Sequence, residues 1–117
     1  MKILITGNMG YVGPLVLKRL RESHPQARLV GYDTGYFAHC LTGAPRFPET
    51  RADAQYFGDI RQVPDHVLQG VDSVVHLCAI SNDPMGAAFE DVTLNINNRA
   101  SVALAQQAKK FGVRRIL

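Results

Sequence analysis

The sequence predicts an α/β fold: a doubly wound parallel sheet with helices on both faces, incomplete because the chain stops in about its fifth strand. Three observations carry this. A short Ile- and Leu-rich run, Lys2 to Thr6, ends in closely spaced glycines (Gly7, Gly10, Gly13), and Leu15, Val16, Leu17 and Leu20 then recur with helical period. A second apolar run, Leu29-Val30-Gly31-Tyr32, ends at Asp33. Strand-like and helix-like segments alternate from there to the last residue, and alternation of this kind requires parallel strands joined by right-handed crossovers.

Taken in order, a strand near 2–6 leads to a helix near 11–23, which stops before Pro25. A second strand is expected near 28–33. Thr34 to Asp53 contains Gly35, Gly43, Pro45 and Pro48 and no periodicity. It reads as a long loop with one helical turn at most, either functional or a surface excursion. Gln55-Tyr56-Phe57 looks like a short third strand ending at Gly58-Asp59. Residues 62–69 form a small helix with Pro64 in its first turn. Ser73 to Cys78 reads as a buried strand. Gly86 to Lys110 is a long helical stretch stopped by Gly112, and Val113 to Leu117 opens another strand.

The glycine turn is where chemistry is expected. A buried strand, a tight turn and the first turn of a helix aim free backbone N–H groups and a positive helix dipole at one point. A pyrophosphate suits that point. Gly7 allows the sharp turn, Gly10 the close approach of backbone to phosphate, and Gly13 the close packing of helix on strand. Asp33 lies about 20 residues past the glycines, where a carboxylate accepts hydrogen bonds from ribose hydroxyls and repels a 2′-phosphate.

Composition narrows the classes further. A chain of 117 residues is one domain, and 46% hydrophobic residues is ordinary for a globular one. The net charge of +3 is slight. Lys18, Arg19 and Arg21 lie along one helix, and Lys109, Lys110, Arg114 and Arg115 near the end, so no single basic face exists for nucleic acid. Cys40 and Cys78 form no CxxC, which fits a reducing compartment. His24, His39, His66 and His76 have no ligand spacing, so no metal is expected, and His76 reads as a core or strand-end residue. No run of 18 apolar residues is present and the N-terminus lacks a signal-peptide pattern. The expectation is a cytoplasmic protein without a membrane span.

Thr6-Gly7-Asn8-Met9-Gly10-Tyr11-Val12-Gly13 resembles the TGxxGxxG signature of the extended short-chain dehydrogenase/reductases, the NAD-dependent epimerases and dehydratases of nucleotide sugars. Gly58-Asp59-Ile60-Arg61 is similar to that family's GDI(R/D) element and Val75-His76-Leu77-Cys78-Ala79 to its VIHLAA strand end. Asn97-Asn98-Arg99-Ala100-Ser101 resembles NVEGT, and Gly112-Val113-Arg114-Arg115-Ile116 resembles GVKRF. Two departures are Cys78 for the usual Ala and Ala100 for the usual Gly. Ser81 to Gly86 is more idiosyncratic and resembles one branch of the sugar-nucleotide epimerases.

The resemblance implies a Rossmann-type NAD-binding domain over 1–117, the N-terminal part of a longer enzyme. It implies that Gly7, Asn8, Met9, Gly10, Tyr11, Val12 and Gly13 form the pyrophosphate turn, and that Asp33 takes the adenosine ribose, favouring NAD over NADP. Asp59 and Ile60 would bracket the adenine. Leu77, Cys78 and Ala79 would line the nicotinamide half with Ser81 at their edge, and Asn97 would order hydrogen bonds nearby. It further implies a nucleotide-sugar substrate, and a homodimer at full length. The family's proton transfer uses a Tyr with a Lys four residues on. Tyr11, Tyr32, Tyr36 and Tyr56 are followed at that spacing by Leu15, Tyr36, Cys40 and Ile60, so no catalytic residue is assigned and this chain alone is expected to be inactive. Two alternatives stand beside this reading: an NAD-dependent reductase of a non-sugar carbonyl on the same fold, and a non-catalytic dinucleotide-sensing module.

Overall fold

The computed structural model describes residues 1–36, 51–81 and 83–117. Five parallel strands, β1 (Lys2–Thr6), β2 (Arg28–Asp33), β3 (Ala54–Phe57), β4 (Ser73–His76) and β5 (Arg115–Ile116), lie in the order β3-β2-β1-β4-β5. The chain therefore runs outward from β1 through β2 to β3, then crosses back to place β4 on the other side of β1. That reversal is the switch point at which open α/β sheets form a crevice. The register sets the crevice's floor, because Thr6 pairs with both Tyr32 and His76, and Asp33 pairs with Phe57. The residues just past each strand therefore emerge together.

Alternation along β1 divides the core. Ile3 and Ile5 face helix α1 (Gly13–Ser23) and pack with Leu17, Ala27 and Leu29. Leu4 faces the opposite way, packing with Val30, Tyr32 and Val74. On that side lie a turn of 3₁₀ helix (Ile60–Gln62), the short helix α2 (Asp65–Leu68) and the later helices. A parallel strand covered on both faces needs apolar residues on both, and KILIT supplies them.

The expected strands are all present, with the fourth ending at His76 rather than Cys78 and the last confined to two residues. The first helix begins at Gly13, later than expected, because the three glycine-turn residues before it are bent backbone. The expected helix over 62–69 is divided: Pro64 caps α2 from an extended conformation instead of lying inside it. The long helix is divided as well. Helix α3 (Asp83–Ala88) is followed by Phe89 in a non-helical conformation, then by α4 (Glu90–Leu94), a widened π turn (Asn95–Ala100) and α5 (Ser101–Lys110). Gly112 adopts φ +75° just beyond α5, as the stop signal requires. Most of the expected 34–53 loop, residues 37–50, lies outside the described residues. Among the described residues no helix is long and apolar enough to cross a membrane.

Candidate functional site

Gly7 holds φ +72°, a left-handed conformation that a Cβ disfavours, and its N–H donates to Tyr32 O at 2.8 Å. The glycine is needed for space too: a Cβ there would lie 2.7 Å from Cys78 N and 2.8 Å from the Leu77 carbonyl carbon. The turn therefore presses directly on the chain leaving β4. Gly10 N donates to Gly7 O at 3.1 Å, which closes the turn. Gly13 departs from its expected role. Its absent Cβ would meet the backbone of Asn8, with Asn8 O only 2.2 Å away, so it lets the helix pack on the turn rather than on the strand. Helix α1 begins with Pro14 in its first turn and no side chain capping it. Its leading N–H groups are thus left to backbone, water or ligand.

Asp33 joins this turn to the end of β2. Its Oδ2 accepts from Met9 N at 2.9 Å and its Oδ1 from Gly35 N at 2.8 Å. A carboxylate offers about four acceptor positions, so one on each oxygen remains for a ribose hydroxyl. The β3 side contributes Gly58, Asp59, Ile60 and Arg61. Asp59 caps the 3₁₀ turn through Arg61 N at 2.9 Å, and its carboxylate is gripped by Arg61 Nε and Nη2. The hydrogen bonds from the Arg61 side chain hold the Asp59 carboxyl below the usual carboxylate range, against a smaller opposing effect of burial.

The other wall is the chain beyond β4. Leu77 N donates to Thr6 O at 2.9 Å, and Leu77, Cys78, Ala79, Ile80 and Ser81 line the crevice. Two tethers hold this wall, one from the widened helical turn and one from the start of α5. Asn97 clamps Ile80 at both backbone atoms, accepting from its N–H and donating to its C=O, each at 2.8 Å. Ser101 donates from Oγ to Asn97 O at 3.0 Å and lies 2.8 Å from His76 Nε2, while His76 Nδ1 lies 2.7 Å from Thr6 Oγ1. Because the Ser101 proton is on Asn97 O, its oxygen accepts from His76 Nε2–H. The neutral Nε2–H tautomer then receives the Thr6 hydroxyl proton at Nδ1. Burial lowers the His76 pKa in keeping with that neutral ring. Burial also pushes the Cys78 thiol up to about 11.

Together these segments enclose a crevice of about 500 Å³. Of the residues singled out from sequence, it brings together Gly7, Gly10, Asp33, Asp59, Ile60, Leu77, Cys78, Ala79 and Ser81. The others lie around it. The Asn8 side chain and Met9 are buried beneath the turn, Tyr11 and Val12 project outward, Gly13 is buried in the helix start, and Asn97 stands behind Ile80. The crevice adds Thr34, Tyr36, Gly58, Arg61, Ile80 and Ile96. Arg61 and Gly58 were within reach of sequence reasoning because they flank Asp59. Ile96 was not, since it reaches the crevice from the widened helical turn.

The family model described as NAD dependent epimerase/dehydratase matches residues 3–117. A short-chain dehydrogenase/reductase superfamily protein from Agrobacterium tumefaciens, solved with bound NAD, is 26% identical, with a TM-score of 0.74 over 99% of this chain and 31% of that one. UDP-glucose-4-epimerase from Stenotrophomonas maltophila, solved with NAD and formylated UDP-arabinopyranose, is 22% identical (TM-score 0.80, 99% of this chain, 35% of that one). UDP-N-acetylglucosamine 4-epimerase from Methanobrevibacter ruminantium is 16% identical (TM-score 0.75, 98% and 36%). The last two likenesses show the shared fold. No curated protein matches the sequence. The chain spans about a third of the length of the solved structures it resembles.

Proposed function

From a chain that belongs to the NAD-dependent epimerase/dehydratase family, we propose an NAD-binding role within an enzyme that remodels nucleotide sugars by transient hydride transfer. One observation carries the reading. The Asp33 carboxylate is fixed to Met9 N at 2.9 Å, beside the Gly7–Gly10 turn and on the crevice it lines. Acceptors for a ribose and a backbone cradle for a diphosphate therefore lie side by side. The residues present fit NAD, since Gly7, Gly10 and Asp33 line one crevice and each Asp33 oxygen, accepting from one N–H of the chain, keeps an acceptor position for a ribose hydroxyl.

When bound, NAD supplies the hydride acceptor. This chain's part is to bind and orient. Asp33 accepts from the adenosine ribose hydroxyls and repels a 2′-phosphate. The glycine turn and the uncapped start of α1 receive the diphosphate. Leu77 to Ser81 form an apolar wall along the remaining half of the crevice, with Asn97 and Ser101 holding that wall from behind. The chain has no Tyr with a Lys four residues later, so proton transfer to or from a sugar hydroxyl is assigned to residues outside it.

Calorimetric titration tests the reading. NADH binds more tightly than NADPH, and Asp33→Ala narrows the gap by removing both the ribose hydrogen bonds and the repulsion. Hydrogen bonds to a charged group are worth about 1.5–3 kcal/mol, well within the resolution of the titration. Equal affinities in the unmutated protein would overturn the proposal. Incubation of the chain with NAD and a panel of nucleotide sugars is expected to give no product above a no-protein control.

A further inference from the structure

Asn8 lies between two glycines that line the crevice, yet its own side chain is fully buried and turned away from it. A buried amide needs partners, and among the described residues Gln55 supplies them. Asn8 Nδ2 donates to Gln55 Oε1 at 2.7 Å, and Gln55 Nε2 donates back to Asn8 Oδ1 at 3.3 Å and to Tyr56 O at 3.0 Å. The two amides form a closed pair. They sit over β2, because Ile5, Gly31 and Gln55 are paired in register across β1, β2 and β3.

Gly31 explains why the pair fits. Its backbone does not need a glycine, since its φ is not among the positive ones. Its space does. A Cβ at Gly31 would lie 2.1 Å from Gln55 Oε1 and 2.5 Å from Asn8 Nδ2. A glycine inside a buried strand weakens it unless something else occupies the vacated volume. Here the amide pair occupies it.

We infer that Gln55 is a positioning residue for the glycine turn: through Asn8, over the gap left by Gly31, it fixes the backbone that receives a diphosphate. The inference rests on the dinucleotide reading for its ligand but not for its geometry. Asn8 and Met9 are adjacent, and each is held by a different strand's partner. Gln55 on β3 holds the side chain of one, and Asp33 at the end of β2 holds the N–H of the other at 2.9 Å. The peptide between them cannot rotate without breaking one of these holds. The Gly7 and Gly10 backbones that face the crevice are oriented by that constraint. Hydrogen bonds are directional where apolar contacts are not, so an amide pair sets a peptide's orientation in a way that a packed Leu would not.

The test uses Gln55→Leu, which keeps the side chain's bulk and removes both bonds with Asn8 together with the one to Tyr56 O, in the full 117-residue chain. Hydrogen exchange in the ligand-free protein is the first readout. The Met9 and Gly10 amides exchange at least tenfold faster in the variant, while the Leu4 to Thr6 amides of β1 are unchanged. Binding is the second. Affinity for ADP-ribose falls about tenfold, and affinity for adenosine, which lacks the diphosphate, changes less than twofold. Gly31→Ala strikes the pair from the opposite side and reproduces both patterns. Unchanged exchange at the turn in either variant overturns the inference. So does an equal loss of ADP-ribose and adenosine affinity, which would mark general damage. If the unmutated chain binds neither ligand, the dinucleotide reading fails, and the exchange contrast alone decides whether Gln55 holds the turn.

Discussion

The two walls of the crevice are held by different means. On the β1–β2 side the backbone itself is the device: a left-handed Gly7, a Gly13 packed on Asn8 O, and an Asp33 carboxylate bonded to two main-chain N–H groups. On the β4 side the backbone is ordinary and side chains hold it from outside, with Asn97 on Ile80 and Ser101 on His76. The first kind of hold fails completely when a single Cβ is added. The second loosens by one hydrogen bond at a time. A wall of the first kind suits a diphosphate, which needs N–H groups in fixed directions, and one of the second kind can adjust to what lies against it.

The largest effect is expected where the two walls touch. In Gly7→Ala the new methyl would meet Cys78 N and the Leu77 carbonyl carbon while the backbone holds φ +72°. The left-handed conformation costs about 1–2 kcal/mol for a residue with a Cβ and overpacking a further 1–3 kcal/mol. A loss of about 3 kcal/mol in urea unfolding is the expected sum. Gly70 provides the control, because its φ is +67° and no atom lies within 4 Å of its absent Cβ. Gly70→Ala therefore shows the conformational part alone. If the two variants lose the same stability, contact between the walls contributes nothing.

A second difference lies in reactivity. Cys78 lines the crevice, yet burial pushes its thiol up to about 11 from an ordinary 9.0. The thiolate is the reacting species, so at pH 7 its fraction is about a hundredfold below that of an ordinary thiol. Alkylation by iodoacetamide, followed in a Cys40→Ser background, is expected to be slow by a comparable factor and to accelerate up to about pH 11. A rate equal to that of a free thiol at pH 7 would show the β4 wall to be open. Asn97→Ala comes next. Two hydrogen bonds to Ile80 are removed from an exposed position, at a cost of about 1 kcal/mol, with faster exchange at the Ile80 amide and none at Met9.

What the sequence revealed follows the same division. Gly7 was legible because a left-handed turn pressed on a neighbouring backbone admits only glycine, and Asp33 because a carboxylate at the end of β2 can accept from the N–H groups of that turn. The strand order was legible because alternating elements admit few topologies. The Asn8–Gln55 pair was hidden, since its members are 47 positions apart and an amide has no periodic signature. The widened turn at Asn95–Ala100 was hidden for another reason. NINNRA has no Pro or Gly to mark a break, and the widening is seen only in where it places Asn97 and Ser101. Gly13 was assigned the right need, a missing Cβ, and the wrong neighbour.

His76 provides the finest test of the β4 wall, because its ring joins that wall to β1 and to α5. The ring is neutral in the folded chain, accepting from Thr6 and donating to Ser101, and burial lowers its pKa below 6.5. In the unfolded chain the imidazole binds a proton more readily, so between the folded pKa and about 6.5 the unfolded state carries more protons. Stability contributed by the neutral ring is therefore fully present above about pH 6.5 and is lost as pH falls through the folded value. Protonation also places a hydrogen on Nδ1, which forces the Thr6 hydroxyl to turn its own proton elsewhere. Urea midpoints measured from pH 7.5 down to pH 5 should fall over this window. In His76→Gln, which keeps polar atoms at the site without titrating there, the slope of stability against pH should flatten. A His76→Gln chain with an unchanged slope would assign the loss to other groups and leave the ring as packing alone.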